Sequence, residues 1–341
     1  MLRADVAGAT GLSRRHMLWR GAGVAALALF ALLLPWAATK AGNPDLISLA
    51  TRIVIYAIAA ASLNLILGYG GLVSFGHAAY FGVGAYAVGI LYFHFSNAEP
   101  FLGFVPGTNQ LLITIPVAVV TSATFALVLG GLSLRTAGLQ FIMITLAFAQ
   151  MVFFLFVSLK YYGGDDGLIV RHRNVLFNLD MTNDTTFYFV CLAVAAIYFF
   201  VFWRLAQSRF GLVLGGIRQN ERRLAAIGIA TYRYKLVAFV IAGAGAGLAG
   251  ALMANFAKFV SPDLLHWSQS GDLMIMVILG GAATLFGPLI GATMLIGLET
   301  VFTGWTEHWQ AFLGPFLILI ALFTRGGVLS LFKMSASGSH A

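Results

Sequence analysis

Runs of uncharged, mostly apolar residues alternate with short polar segments along almost the whole chain. A helix needs about 20 apolar residues to cross the hydrocarbon core of a bilayer. Such runs lie near 22–37, 48–67, 72–94, 110–133, 138–159, 187–203, 234–256, 270–284, 287–303 and 309–324. The pattern predicts an all-α chain, a polytopic transmembrane helical bundle of about ten spans. The stretch 270–303 is long for one helix and short for two. Gly280, Gly281, Gly287 and Pro288 interrupt its middle, so it is read as two spans.

The charges orient these spans. With the N-terminus inside, fourteen of the 20 Lys and Arg fall on inner segments and six on outer ones. The acids run the other way: only Asp5 and Glu221 fall inside, and Glu299 lies within a span. Lys and Arg collect in cytoplasmic loops, so both termini are expected in the cytoplasm. The chain then divides into a basic N-terminal segment, 1–20, a membrane domain, 21–325, and a cytoplasmic tail, 326–341. Its longest polar stretches are an inner segment at 204–233 and an outer loop at 160–186. Ser13-Arg14-Arg15 before an apolar stretch resembles a twin-arginine signal. The rest of the chain is integral to the membrane, and a retained first span is the expectation here.

Composition agrees. Hydrophobic residues make up 60% of the chain and charged residues 9%, against about 25% charged in ordinary soluble domains. A soluble core of this size cannot hide that much apolar surface, and lipid is the expected surrounding. The single cysteine, Cys191, excludes a disulfide scaffold. The net charge of +8 is explained by topology, so no nucleic acid partner is expected. The 39 glycines point to helices packed closely through small residues.

The usual chemical constellations are missing. None of the seven histidines has a His or Cys partner at metal-ligand spacing, so no metal is expected. Ser74 and His77 stand three residues apart without an acid nearby in sequence, so no catalytic residue is assigned. No G-x-x-x-x-G-K-[ST] sequence occurs, so any ATP must bind a separate chain. Proton- or sodium-driven carriers bury ionisable groups along their path. Here Glu299 is the clearest intramembrane charge, with Arg52 and Asp272 near outer span ends. Glu299 reads first as an interfacial carboxylate near the outer end of its span, with a substrate or gate contact as the alternative.

Two glycine-rich segments interrupt the apolar pattern. Four glycines fall in the nine residues from Gly68 to Gly76, followed by His77. The second runs from Gly280 and Gly281 through Thr284 to Gly287 and Pro288. Neither favours a regular helix. Inside a bilayer, non-helical backbone is tolerated only against protein or a watery cavity. Paired broken segments point to a transport path. The polar or small residues in and near them are candidate path residues: Asn64, Ser74, Phe75, Gly76, His77, Thr145, Gln150, Gly280, Gly281, Thr284 and Glu299. Helix packing is the competing reading for each. The inner segment from Gly216 to Ile229 is amphipathic. Ile217, Leu224, Ala225 and Gly228 are expected on one face, with Arg218, Glu221, Arg222 and Arg223 toward the others. Gly228 can end the helix. A basic helix lying on lipid and a short helix docking into a partner are both open readings.

Several stretches together resemble a known family. They are Leu63-Asn-Leu-Ile-Leu-Gly-Tyr-Gly-Gly-Leu-Val-Ser-Phe-Gly-His-Ala-Ala-Tyr-Phe-Gly82, Leu134 to Gln150, Gly163-Gly-Asp-Asp-Gly-Leu168, Ile217 to Gly228 and Gly280 to Ala292. Their order resembles the LivM type of the LivH/LivM family, inner-membrane permeases of bacterial branched-chain amino acid ABC importers. The resemblance implies a pore shared with a sister LivH-type permease. It also implies two cytoplasmic ATPase subunits that carry ATP and Mg, and a periplasmic substrate-binding protein. Arg218, Gln219, Asn220, Glu221, Arg222, Ala225, Ala226 and Gly228 then resemble the coupling segment that contacts the ATPase. Ala283 departs from the family pattern, which more often has glycine there. No cofactor is expected on this chain.

The expected function is that of a permease subunit in the bacterial inner membrane. It would move branched-chain or related amino acids from periplasm to cytoplasm by alternating access, with no reaction of its own. The main alternative is an ion-coupled secondary transporter of a small polar solute. A membrane-embedded enzyme and a purely structural membrane subunit are further alternatives.

Overall fold

The computed structural model describes residues 31–36, 38–40, 42–43, 45–100, 106–177, 179–304 and 314–315. The spans expected at 309–324 and over most of 22–37 lie outside these residues, as do the segments 1–20 and 326–341. The described part is almost wholly helical. Helix α1 (Asp45–Asn64) ends in a π-helical turn, Leu65–Tyr69. It is followed by α2 (His77–Asn97), α3 (Leu111–Ser133), α4 (Leu139–Ser158) and α5 (Asp184–Ala206). Then come α6 (Arg209–Ala226), α7 (Thr231–Ala257), α8 (Trp267–Gly280) and α9 (Gly287–Thr303). Among the described residues, these helices stand at eight of the ten expected spans.

Among the described residues, six helices are long and apolar enough to cross a membrane: α1 with its π turn, α2, α3, α4, α5 and α7. The chain is a multi-pass helical membrane protein. Helix α8 has 14 residues and α9 has 17. At 1.5 Å per residue these reach about 21 and 26 Å, short of the ~30 Å hydrocarbon core. Gly281, at φ +114, stops α8 at Gly280, four residues before the expected end. Similarly α2 starts at His77 and not at residue 72, because the glycine-rich segment before it stays non-helical.

Small residues set the packing. Helix α7 lies against α2 and α3, and a Cβ added to Gly243, Gly247 or Gly250 would collide with Ala126, Ser122 or the Phe81 carbonyl. Ser122 Oγ donates to the Tyr80 carbonyl at 3.0 Å, tying α3 to α2 across the same seam. Lipid is as apolar as leucine, so close backbone contact and interhelical hydrogen bonds hold such helices together. The apolar window of α2 is 78% buried, whereas that of α5 is 17% buried. Thus α2 is an inner helix, while α5 turns most of its apolar surface outward.

The loop between α4 and α5 is folded. Two-residue strands β1 (Leu168–Ile169) and β2 (Phe259–Val260) pair antiparallel and fasten it to the end of α7. Arg173 is buried, binds the Asn255 carbonyl at 3.3 Å and pairs with Asp184 at 2.6 Å. Asn174 accounts for two more bonds, from its backbone N–H to Asn255 Oδ1 and from its side chain to Thr114, each at 2.8 Å.

Candidate functional site

The first broken segment joins α1 to α2, and side chains from other helices satisfy its backbone. The Phe75 N–H donates to Thr145 Oγ1 at 3.3 Å, and the Phe75 carbonyl accepts from Ser270 Oγ at 2.7 Å. Ser270 Oγ also accepts from the Ala78 N–H at 2.8 Å, and Ser74 Oγ accepts from the Gly76 N–H at 3.2 Å. His77 is buried, with Nε2 2.7 Å from Ser62 Oγ and Nδ1 without a partner among the described residues. Irregular backbone at membrane depth persists only when its polar groups are met in this way. Ser74, Phe75, Gly76, His77 and Thr145 therefore form one neighbourhood, joined by Ser270.

The second broken segment joins α8 to α9. Buried Asn64 holds it: its Nδ2 donates to the Thr284 carbonyl at 2.8 Å, and its Oδ1 accepts from the Ala283 N–H at 2.9 Å. Thr284 Oγ1 donates to the Gly281 carbonyl at 2.7 Å and accepts from the Gly287 N–H at 3.0 Å. The glycines allow the two helix ends to touch. A Cβ on Gly280 would strike the Gly287 carbonyl, and one on Gly291 the Met276 carbonyl. Asn64, Gly280, Gly281 and Thr284 thus meet. Gln150 is half-buried on α4 and makes no side-chain hydrogen bond among the described residues.

The segment with the basic residues departs from a single amphipathic helix. At Asn220 the backbone leaves helical geometry, with φ −161° and ψ 96°. Asn220 Oδ1 accepts from the Arg223 N–H at 3.0 Å, so Asn220 caps a short helical piece, 221–226. That piece ends in a Schellman arrangement: Ile229 N–H to the Leu224 carbonyl, Gly228 N–H to the Ala225 carbonyl, and Gly228 at φ +87. The break corrects the expectation of one continuous face. Leu214 and Ile217 before it are buried, while Ala225, Ala226 and Gly228 after it are exposed, as are Arg222 and Arg223.

Two contacts fasten this segment to the membrane helices. Arg218 Nη1 donates to the Gly68 carbonyl at 2.6 Å. Its aliphatic stem lies against Gly71, where a Cβ would meet it at 2.9 Å. Lys235, buried near the start of α7, pairs with Glu221 at 2.6 Å. Partial burial alone would raise the Glu221 carboxyl, but hydrogen bonds from Lys235 and Thr231 and the Lys235 charge hold it below the ordinary value of 4.5. A cleft of about 370 Å³ opens between Tyr69, Gly215, Arg218, Gln219 and Ala283. Gly68 and Ala283 are neighbours in turn, since a Cβ on Gly68 would collide with the Ala283 nitrogen and with Asn64. Arg218, the π turn, Asn64 and the Gly281–Gly287 turn are therefore one contiguous set of contacts.

Glu299 lies apart from both broken segments and pairs with Arg52 at 3.0 Å. Neither this partner nor Lys235 for Glu221 follows from local sequence, because the first pair is 247 residues apart and the second joins two helices. The only available signal for Arg52 and Glu299 is that opposite charges within spans need one another. Among the described residues, no group of three or more His, Cys, Asp or Glu is placed to hold a metal ion.

The sequence profile of the branched-chain amino acid transport system permease component family matches residues 46–322. The high-affinity branched-chain amino acid transport system permease protein LivM of Salmonella typhimurium is 27% identical over 328 residues, covering 89% of this chain and 73% of that protein. The Escherichia coli protein of the same name is 26% identical with the same coverage. A probable LivM of Methanocaldococcus jannaschii is 25% identical over 306 residues, 81% of this chain and 87% of that one. No solved structure matches. The match over most of the length places the chain in the family of branched-chain amino acid transport system permease components.

Proposed function

We propose that the chain is the pore-forming subunit of an ATP-driven importer that moves branched-chain amino acids from periplasm to cytoplasm. The observation that carries the reading is the contact path from Arg218, in the basic cytoplasmic segment, to both broken segments. Arg218 holds the π turn by the Gly68 carbonyl, and Asn64 joins that turn to the Gly281–Gly287 turn. The short helix 221–226 follows Arg218 in the chain across the Asn220 break, so movement of this segment is passed through Arg218 and Asn64 to both interruptions of the membrane helices. Alternating access needs such a link when the energy source sits on another chain.

In this reading Arg218, Gln219, Asn220, Glu221, Arg222, Ala225, Ala226 and Gly228 meet a cytoplasmic ATPase subunit. The exposed Arg222, Arg223, Ala225, Ala226 and Ile227 offer it a basic and apolar surface. The complete assembly has this chain, a sister permease, two ATPase subunits carrying ATP and Mg, and a periplasmic binding protein. The chain spans the inner membrane about ten times with both termini cytoplasmic, and it catalyses no reaction itself. Ion-coupled carriage is disfavoured because the intramembrane pair Arg52–Glu299 is salt-bridged and the helices carry few other ionisable groups.

The test is purification of the tagged chain from its native membrane in mild detergent, followed by reconstitution. Co-purifying ATPases and a second permease, with leucine uptake that requires ATP and the binding protein, are the expected result. A chain that purifies alone and moves solute under an ion gradient without ATP overturns the reading.

A further inference from the structure

Arg52, Asp272 and Glu299 come from α1, α8 and α9 and form a charged cluster distinct from the two broken segments. Arg52 Nη2 contacts both Glu299 oxygens, at 3.0 and 3.1 Å. Asp272 stands on α8 one turn beyond Gln269, on the same helix face, and makes no ion pair or hydrogen bond among the described residues. Buried Tyr56 supports the cluster from behind, with its hydroxyl 3.4 Å from Gln269 and its ring 5.8 Å from the Arg52 guanidinium.

The cluster is accessible. The side chains of Arg52 and Glu299 are 34% and 25% exposed, and Asp272 is exposed. The three residues stand four to seven positions from their helix ends, about 6 to 11 Å along the axes. Charges at such depth face protein or water, not acyl chains, and mark pathways.

Its charge is unbalanced, with two carboxylates against one guanidinium. A guanidinium has five N–H donors in a fixed fork, and Glu299 takes those on Nη2. The cluster thus offers a carboxylate acceptor in need of a cation beside a guanidinium able to take a second carboxylate. An α-amino acid carries an ammonium and a carboxylate on one carbon. We propose that Asp272, Arg52 and Glu299 form a transient site for the zwitterionic head group of the transported amino acid. Asp272 receives the ammonium and Arg52 the carboxylate. Glu299 occupies Arg52 when substrate is absent and competes with it, so the site binds weakly and releases readily. That suits a pathway whose selectivity lies elsewhere. The assignment rests on the importer reading above.

The experiment uses the complete reconstituted importer with its binding protein, leucine and ATP. Asp272→Asn leaves the Arg52–Glu299 pair in place. The expected result is normal co-purification of all subunits and a fall of about tenfold in leucine moved per ATP hydrolysed, the size of one lost charge-assisted hydrogen bond. Asp272→Glu restores most of it. An unchanged ratio overturns the assignment, as does a defect that Asp272→Glu fails to rescue. Loss of the sister permease from Asp272→Asn also overturns it, because Asp272 then pairs with a cation of that chain. A wild-type assembly without ATP-dependent leucine uptake overturns the importer reading itself, before any variant is compared.

Discussion

Asn64 shows how a residue can be singled out from sequence while its partners stay hidden. Its polarity within an apolar run marks it, and path lining was one reading. Its partners, Ala283 and Thr284, lie 219 and 220 residues away, so no local pattern could name them. Asn64→Ala leaves the Ala283 N–H and the Thr284 carbonyl unmet in a mostly buried site. The expected cost is about 2–4 kcal/mol, from two unsatisfied groups, read as a lower thermal unfolding midpoint in detergent. Ala283 itself sits at φ +61, where a side chain is strained. The resemblance noted in the sequence implies glycine at this position, and a positive φ is the backbone geometry that favours it. Ala283→Gly is expected to stabilise the protein by about 1 kcal/mol in the same assay. A lower midpoint would mean that the alanine methyl packs favourably enough to outweigh the strain.

Among the elements, the long apolar helices were legible because hydrophobic runs of 20 residues are unambiguous. The break after α8 was legible from its glycines, but the helix end was placed four residues late, because the dihedral of Gly281 is not written in composition. The short helix 221–226 was misread as part of a longer amphipathic one. Periodicity counted across Asn220 assumes an unbroken helix, and only the preference of asparagine for helix N-caps could have signalled the break. Asn220→Ala removes that cap, at a cost of about 1 kcal/mol. It also favours a straight helix that points Arg222 and Arg223 elsewhere. ATP hydrolysis in the assembly is then expected to proceed with reduced uptake, and unchanged uptake at equal membrane abundance would show that the break has no part in coupling. The Glu221–Lys235 pair adds a pH dependence. The folded carboxyl titrates below its ordinary value, so its contribution is fully present above about 4.5 and is lost as the pH falls through the lower folded value. Hydrogen exchange over 219–236, corrected for intrinsic rate, is expected to show constant protection near neutrality and loss only in acid. Replacement by Glu221→Gln should remove this dependence.

For the whole molecule, orientation is the property that internal packing leaves undetermined. A helical bundle has the same contacts whichever end faces the cytoplasm, so the arrangement of α2, α3 and α7 says nothing about inside and outside. Only the charges decide, through the excess of Lys and Arg on the side of 204–233. Helix α5, 23 residues long, separates the 160–186 loop from the short helix at 221–226. At about 35 Å it is sufficient to cross the bilayer. The two segments are therefore expected on opposite sides. Asp166 and Arg222 are exposed, and the native Cys191 is the single cysteine of the chain and buried, so background labelling is low. Asp166→Cys is expected to react with an impermeant maleimide added to intact cells. Arg222→Cys is expected to react only after the inner membrane is opened. The reverse pattern would invert the molecule and remove helix 221–226 from any cytoplasmic ATPase. Labelling of both from outside would mean that α5 does not span, and the coupling path would lose its membrane frame.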